Sequence, residues 1–247
     1  MTSLTPNPTH KNEPESRIKR WSFSGLQTYE KCPLAAKKQY LDKLPRRGSP
    51  QADRGNQVHR DIELFISGQQ DELQEKVNKL YLNELTDFRT QFHAGDVFVE
   101  EPWGYNADWQ FCGFEHEDVW VRGLLDLGHI VERMDDTITV LHGYDWKTGK
   151  RYPPKHLQQE QLYAVFAFAK IPTLVQFDFS FVYLDEQKPW DQITTKRSYT
   201  RERAKQLEGS FTRRGLRMTM DTTFKPQPNV INCKYCDYND SCEWAVK

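Results

Sequence analysis

No run of apolar residues in this 247-residue sequence is long enough to cross a bilayer. The first twenty residues, MTSLTPNPTHKNEPESRIKR, also lack the apolar centre of a signal peptide. Their Pro, Thr, Asn and charged residues predict a disordered tail over 1–20, and the expected compartment is the cytoplasm. A dominant charge is missing too. The 34 Lys and Arg against 35 Asp and Glu leave a formal net charge of −1, so any nucleic-acid surface must be a local basic patch. There is no internal repeat, no long linker and no GxxxxGK[ST] phosphate loop; a helicase motor is not expected within this length. Cysteine is scarce, with five in all. In a reducing compartment these are thiols or metal ligands rather than disulfides.

What is present supports one sizeable core. Hydrophobic residues make up 37% of the chain, and 14 Phe, 11 Tyr and 7 Trp supply much of its mass. A single domain is expected over 21–247, with a helical part (21–95), a core (96–225) and a cysteine-rich segment (226–247). Ser24 and Gln27 read as a capping box, and Pro33 suits the first turn of a second helix running towards Leu44. Val58, Ile62, Phe65 and Ile66 mark one face of a helix over 53–67, and a more charged helix is expected over 71–91. Segments 97–102, 107–114, 117–133 and 137–146 read as an antiparallel meander, broken at Met134-Asp135-Asp136. A helix over 155–170 has Leu162, Val165, Phe166 and Ala169 inward. A strand over 174–184 alternates Val175, Phe177, Phe179, Phe181 and Tyr183, and 191–199 is a candidate to pair with it. A basic helix covers 200–218. The order of elements predicts an α/β domain with a mixed sheet.

Chemistry gathers around HGYDWKTGK. Asp145 and Lys147 are two apart at the end of a strand, so their side chains leave the same face. Asp126, in RGLLDLG, sits on the preceding strand, and a hairpin would bring both carboxylates to one divalent cation such as Mg²⁺ or Mn²⁺. A lone DxK is ordinarily a solvated strand end. His59 lies four residues after Gly55 on a helix flank shared with Ile62 and Ile66, where it reads either as a half-buried polar residue or as a third ligand. Gln159 and Tyr163 fall one helical turn apart after the DxK strand.

In this order, GxxxH (Gly55 to His59), GLLD ending at Asp126, DWK (Asp145 to Lys147) and QxxxY (Gln159 to Tyr163) resemble the motifs of the RecB-like branch of PD-(D/E)xK nucleases. The opening SFSGLQTYEKCP looks like that branch's first helix. The resemblance runs from about Ser22 to Cys242. It implies a restriction-endonuclease-like core: a central mixed sheet flanked by helices, after an N-terminal helical region and before a C-terminal iron–sulfur segment. It implies that His59, Asp126, Asp145 and the Trp146 main-chain carbonyl bind metal, that Lys147 is catalytic, and that Gln159 and Tyr163 organise the site. Asp145 stands where many members have Glu.

Cys233-x2-Cys236-x5-Cys242 forms a tight trio, with Cys32 far upstream. By itself the trio suggests zinc or buried thiols. Iron–sulfur members of the branch, among them CRISPR-adaptation exonucleases, AddB subunits and exonuclease V, are similar in having one cysteine before the core and three after it. That likeness implies a [4Fe–4S] cluster on Cys32, Cys233, Cys236 and Cys242. Cys112, on an expected strand, is left as a buried thiol. Lys147, Lys150, Arg151 and Lys155 gather near the site, and with Trp146, Tyr152 and Tyr163 nearby they suit a groove that holds single-stranded DNA through phosphates and stacked bases. Arg201, Arg203, Lys205, Arg213, Arg214 and Arg217 line the late helix, either as a DNA surface or as a solvated face. The expected function is a metal-dependent DNA nuclease, an exonuclease or end-processing enzyme acting on single-stranded or frayed DNA, free-standing or beside a separate helicase, recombinase or integrase. The alternative is a non-catalytic DNA-binding scaffold of the same fold.

Overall fold

The first helix is capped by Ser22, two residues before the expected Ser24. The Ser22 hydroxyl accepts from the Gly25 N–H and opens α1 (Phe23–Lys31). This computed structural model describes residues 17–246, and the side chains of 153–155 are outside the described set. Most of the expected tail therefore lies outside the described residues. Ile18, however, is already buried in the core, ahead of Trp21. Pro33 begins α2 (Pro33–Tyr40), as its fixed φ and missing N–H favour. Ser49 caps α3 (Pro50–Ile66) through the Ala52 N–H. The single charged helix expected over 71–91 is instead a short turn, α4 (Lys76–Lys79), and a separate α5 (Leu82–Ala94) ending at left-handed Gly95. The buried Asp61 carboxylate explains the break. It accepts from the backbone N–H groups of Gln74 and Glu75 and from the Asn78 amide, at 2.8–3.0 Å, so the chain wraps around it instead of continuing as helix.

Five strands follow in spatial order: β1 (Val97–Tyr105), β2 (Val121–Met134), β3 (Thr137–Lys147), β4 (Gln176–Tyr183) and β5 (Arg197–Thr200). The sheet is mixed, as expected: β3 and β4 run parallel, and the other neighbours are antiparallel. A parallel pair needs a long crossover, which α6 (Pro153–Lys170) supplies. The β2–β3 hairpin turns at Asp135 and Asp136, both at positive φ (47° and 63°), as a tight two-residue connection of this hand requires. The expected strand over 107–114 is a loop that meets the edge of β1 through a single bridge at Phe111 and the Cys112 and Gly113 N–H groups, which donate to the Gly104 carbonyl. Cys112 therefore lies off the sheet and is only half buried. Val175 is exposed just before β4.

Helices cover both faces. On one face α6 and α8 (Arg201–Met220) pack against Leu125, Leu141, Phe177, Phe179 and Phe181. On the other α3 and α5 pack with Leu127, Tyr144, Trp146 and Val182, joined by α7 (Trp190–Ile193). The tail carries α9 (Val230–Lys234) and returns to the first two helices. The Asn232 amide donates to the Lys31 carbonyl, and the Tyr238 hydroxyl to that of Leu44.

Within this second layer His142 is buried. Its Nε2 lies 2.7 Å from Ser180 Oγ and its Nδ1 3.0 Å from the Tyr144 hydroxyl. Burial, then nearby Lys196, pushes the imidazole down to about 4. An ordinary histidine titrates near 6.5, so the unfolded chain takes up a proton that the folded chain refuses between those values. Stability from this group is complete above pH ~6.5 and falls by about 3 kcal/mol as pH drops to ~4. His142→Gln should flatten that part of the stability–pH curve in urea melts. A curve as steep as the native one would show that His142 is not the group responsible.

Candidate active site

The β2–β3 ladder stops at the pair Leu127–Tyr144, one step short of Asp126 and Asp145. The strands fork there. The Trp146 N–H, which another ladder step would have left to the sheet, donates to Asp126 Oδ2 at 2.8 Å. The neighbouring strand changes at the same level. Val99 pairs with Leu127 and Glu101 with Leu125, but Glu100 and Asp126 between them do not pair, and Glu100 has φ +49°. Val97 and Val99 belong to the α3–α5 layer, whereas Trp103 and Tyr105, of the same parity, belong to the α6–α8 layer. The strand thus turns over at Glu100. Leu127 and Leu125 show the same switch around Asp126. Two carboxylates consequently meet at one irregular level of the sheet.

His59 reaches that level from α3, with Nδ1 3.2 Å from Asp126 Oδ2. Gly55, one turn earlier, faces the loop after β3; a Cβ there would come 3.3 Å from Thr148 Oγ1. Arg54 fastens the same turn, with a two-pronged ion pair to Asp185 at 2.6 and 2.8 Å, and Asp185 also accepts from the Gly149 N–H. His59, Glu100 and Asp126 offer ligand atoms within 4.8 Å of one another. Glu100 went unnoticed in the sequence, where nothing in VEEP marks its reversed backbone.

On the opposite side of the fork, Lys147 pairs with Asp145 Oδ1 and donates to Gln159 Oε1 at 3.2 Å, while Gln159 Nε2 donates to Asp145 Oδ2 at 2.6 Å. Asp145, Lys147 and Gln159 form a closed ring of contacts, and Tyr163 ties α6 to β2 by donating to the Leu124 carbonyl. The structure therefore divides the expected site residues. His59 and Asp126 lie together with Glu100, whereas Asp145 faces Lys147 and Gln159. Trp146 contributes its N–H to Asp126, and its indole is buried against Phe88 and Trp190.

Electrostatics follow the crowding. Burial raises the Asp145 carboxyl, and the Lys147 ammonium opposes it. Burial, then Asp126, lifts Glu100 to about 7. For His59, burial pulls down, but the charge and hydrogen bond of Asp126 outweigh it, and the ring is raised to about 9. Burial also holds the Tyr163 phenol far above its usual range, so it remains a donor. Asp145 Oδ1 is buried and, apart from its ion pair with Lys147, has no directed hydrogen bond. The His59 imidazole beside the Glu100 and Asp126 carboxylates is a donor set that fits a hard divalent cation.

Cys32, Cys233, Cys236 and Cys242 line one small cavity between α2 and the tail, and the Gln227 N–H points at Cys32 Sγ at 3.4 Å. Burial raises the Cys236 thiol, and Cys32 and Cys242 add to the rise. Of the basic residues on α8, several are committed elsewhere. Arg201 holds four carbonyls at the end of α6, Arg203 meets Gln206, Lys205 meets Glu208, and Arg214 grips Glu30. Arg213 and Arg217 remain exposed. Nearer the site, Arg151 is held by Glu186 and Lys150 is exposed.

The forked mixed sheet thus brings two acids, a DxK lysine and an α3 histidine to one place. The profile of the PD-(D/E)XK nuclease superfamily matches residues 20–243, and the chain belongs to that superfamily. No curated protein matches the sequence. Two solved structures are similar in outline. The protein SSO0001 is 12% identical over 97% of this chain and 91% of its own, with a TM-score of 0.47. A candidate exonuclease of Eubacterium rectale is 11% identical over 99% and 96%, with a TM-score of 0.49. The family assignment rests on the profile match alone.

If Glu100 belongs to the cation site, Glu100→Gln should weaken Mn²⁺ binding about tenfold in calorimetry, or ~1.4 kcal/mol. Glu101→Gln, which loses only a pairing with Lys170, should bind Mn²⁺ as the native protein does. Equal isotherms for the two variants would remove Glu100 from the site.

Proposed function

We propose that this chain is a Mg²⁺- or Mn²⁺-dependent DNA nuclease of the RecB-like branch, acting on single-stranded or frayed DNA ends. The observation that carries the proposal is the fork at Asp126 and Asp145, where His59, Glu100 and Lys147 converge from three separate elements. His59, Asp126 and Asp145, with the Trp146 carbonyl and Glu100, would hold the cation. When bound, it would lower the pKa of a water and draw off charge from a phosphate. Lys147 supplies a fixed positive charge at the same place, and Gln159 keeps the ammonium aimed by holding both it and Asp145. Tyr163 acts by position, anchoring α6 two residues before Asp126. Among the described residues no helix is long and apolar enough to cross a membrane; a cytoplasmic setting beside a separate helicase, recombinase or integrase suits the nuclease reading.

We further propose a [4Fe–4S] cluster on Cys32, Cys233, Cys236 and Cys242. The four thiols line one cavity, as the ligands of one shared cluster would. Its role would be structural, since ligand bonds spanning some two hundred residues restrict the unfolded chain.

Asp126→Ala, Asp145→Ala and Lys147→Ala should each lower cleavage of end-labelled single strands by at least about a hundredfold, with the native circular-dichroism spectrum retained. Native rates for Asp145→Ala would refute the site. Protein prepared without oxygen should be brown and carry about four irons per chain. Cys32→Ser should lose the colour as fully as Cys233→Ser, and Cys112→Ser should keep it. Colourless protein with one zinc would refute the cluster and leave the nuclease reading intact.

A further inference from the structure

The surface beside the fork is not flat. A depression of about 400 Å³ begins at Leu124, Gln159 and Tyr163 and runs to Gln27 on α1. A second, of about 590 Å³, shares Gln27 and continues past Lys31, Arg46, Tyr152 and Tyr235. A third, of about 560 Å³, shares Arg46 and Tyr235 and ends among Arg47 and Lys234. Neighbouring depressions share Gln27, or Arg46 and Tyr235, so the three follow one another from Gln159 and Tyr163 of the candidate active site, past the first helix, to the cysteine-bearing tail.

Two features of its lining are unusual together. Tyr152 and Tyr235 are 65% and 78% exposed, although large aromatic rings favour burial. Single exposed aromatics are ordinary; here two project at one depression, from the start of α6 and from just after α9. The charged residues around them are mostly basic. Lys31 and Lys234 are exposed, and Lys234 lies 5.6 Å from the Tyr235 ring. Arg46 and Arg47 pair with Asp237 and Asp240, but both arginines are more than half exposed, and such surface pairs are weak enough for a phosphate to compete.

We infer that this groove is a base-stacking path for single-stranded DNA, with Tyr152 and Tyr235 as its stacking platforms and Lys31, Arg46, Arg47 and Lys234 as phosphate contacts. A stacking surface with interleaved cations recognises unpaired bases of any sequence, because every base has a flat face. Paired bases in a duplex present only their edges, so the rings discriminate single strand from double. The groove opens at Gln159, next to Lys147 and Asp145, and a strand lying in it delivers its backbone to the fork. The inference rests on the nuclease reading for its substrate, and adds which surface holds that substrate and why it is single-stranded.

The test is fluorescence anisotropy of the full-length protein with a labelled oligo-dT of about twenty nucleotides, without divalent cation, so that no cleavage intervenes. Tyr152→Ala and Tyr235→Ala should each raise Kd about tenfold. Tyr152→Trp and Tyr235→Trp should restore it, because stacking rather than the hydroxyl is what is lost. Both tyrosines are exposed, so the melting temperatures of all four variants should match the native one. Binding to a blunt duplex should be weak and indifferent to either ring. Unchanged Kd in both alanine variants, or equal losses for duplex and single strand, would overturn the groove. So would failure of the native protein to bind the oligonucleotide at micromolar concentration. Tyrosine-dependent binding without cleavage in Mg²⁺ or Mn²⁺ would sink the nuclease reading and leave the groove standing. Cleavage with tyrosine-independent binding would do the reverse.

Discussion

Two carboxylates pressed together in a place with little water repel each other, and the arrangement around Asp126 and Asp145 answers that repulsion. Asp126 is met by the Trp146 N–H and the His59 ring, and Asp145 by Lys147 and Gln159. The Trp146 N–H would not be free for Asp126 if the β2–β3 ladder ran on past Leu127 and Tyr144. The fork therefore comes first physically. It frees a backbone donor, opens space between the strands, and leaves one oxygen of Asp145 without a directed hydrogen bond. A fold that merely needed stability would have closed the ladder and buried apolar side chains there, since buried charge is costly even when paired.

The packing on each side serves to hold the fork open. On one face, α6 lies over β3 and β4 with Phe166, Phe177 and Phe179 beneath it, and this fixes Gln159 against Asp145 and Lys147. On the other face, Trp146, Phe88 and Trp190 form an aromatic layer under α3 and α5 that carries His59 to Asp126. Side chains alternate along β3, so Trp146 anchors one layer while Asp145 and Lys147 work in the other. The Arg54–Asp185–Gly149 contacts then link α3 to the loops that follow β3 and β4, joining both layers at the rim of the site.

The tail is a second organising element. It returns to α1 and α2 through Asn232, Tyr238 and the ion pairs of Arg46 and Arg47. These contacts are polar and largely exposed, so their own contribution is small. That weakness gives a physical reason for four cysteines to converge at the same junction, since ligand bonds to a shared centre would hold what surface ion pairs cannot. The tail also forms one wall of the groove that leads to the fork, so closing the chain's two ends and shaping its surface are one event.

The sequence by itself determined what depends on near neighbours. The two-residue spacing of Asp145 and Lys147 puts them on one face of any strand, the 3.6-residue repeat of Val58, Ile62 and Phe65 makes α3, and the phenylalanines of β4 alternate inward wherever that strand lies. The ordered motifs from Gly55 to Tyr163 were legible because each is local and their order survives folding. Only the tertiary structure decided the rest. Glu100 enters the site because β1 reverses its faces there, and a φ of +49° in a glutamate leaves no mark in composition or period. The helix expected over 71–91 broke because the Asp61 carboxylate, from another helix, competed for its backbone donors. The segment 107–114 has strand-like residues, but the Asn106 side chain takes the Asp108 and Gln110 N–H groups and turns the chain, so it meets the edge of β1 only at its far end. In the first two cases the deciding partner comes from elsewhere in the chain, and local propensity carries no information about a partner that only folding brings near.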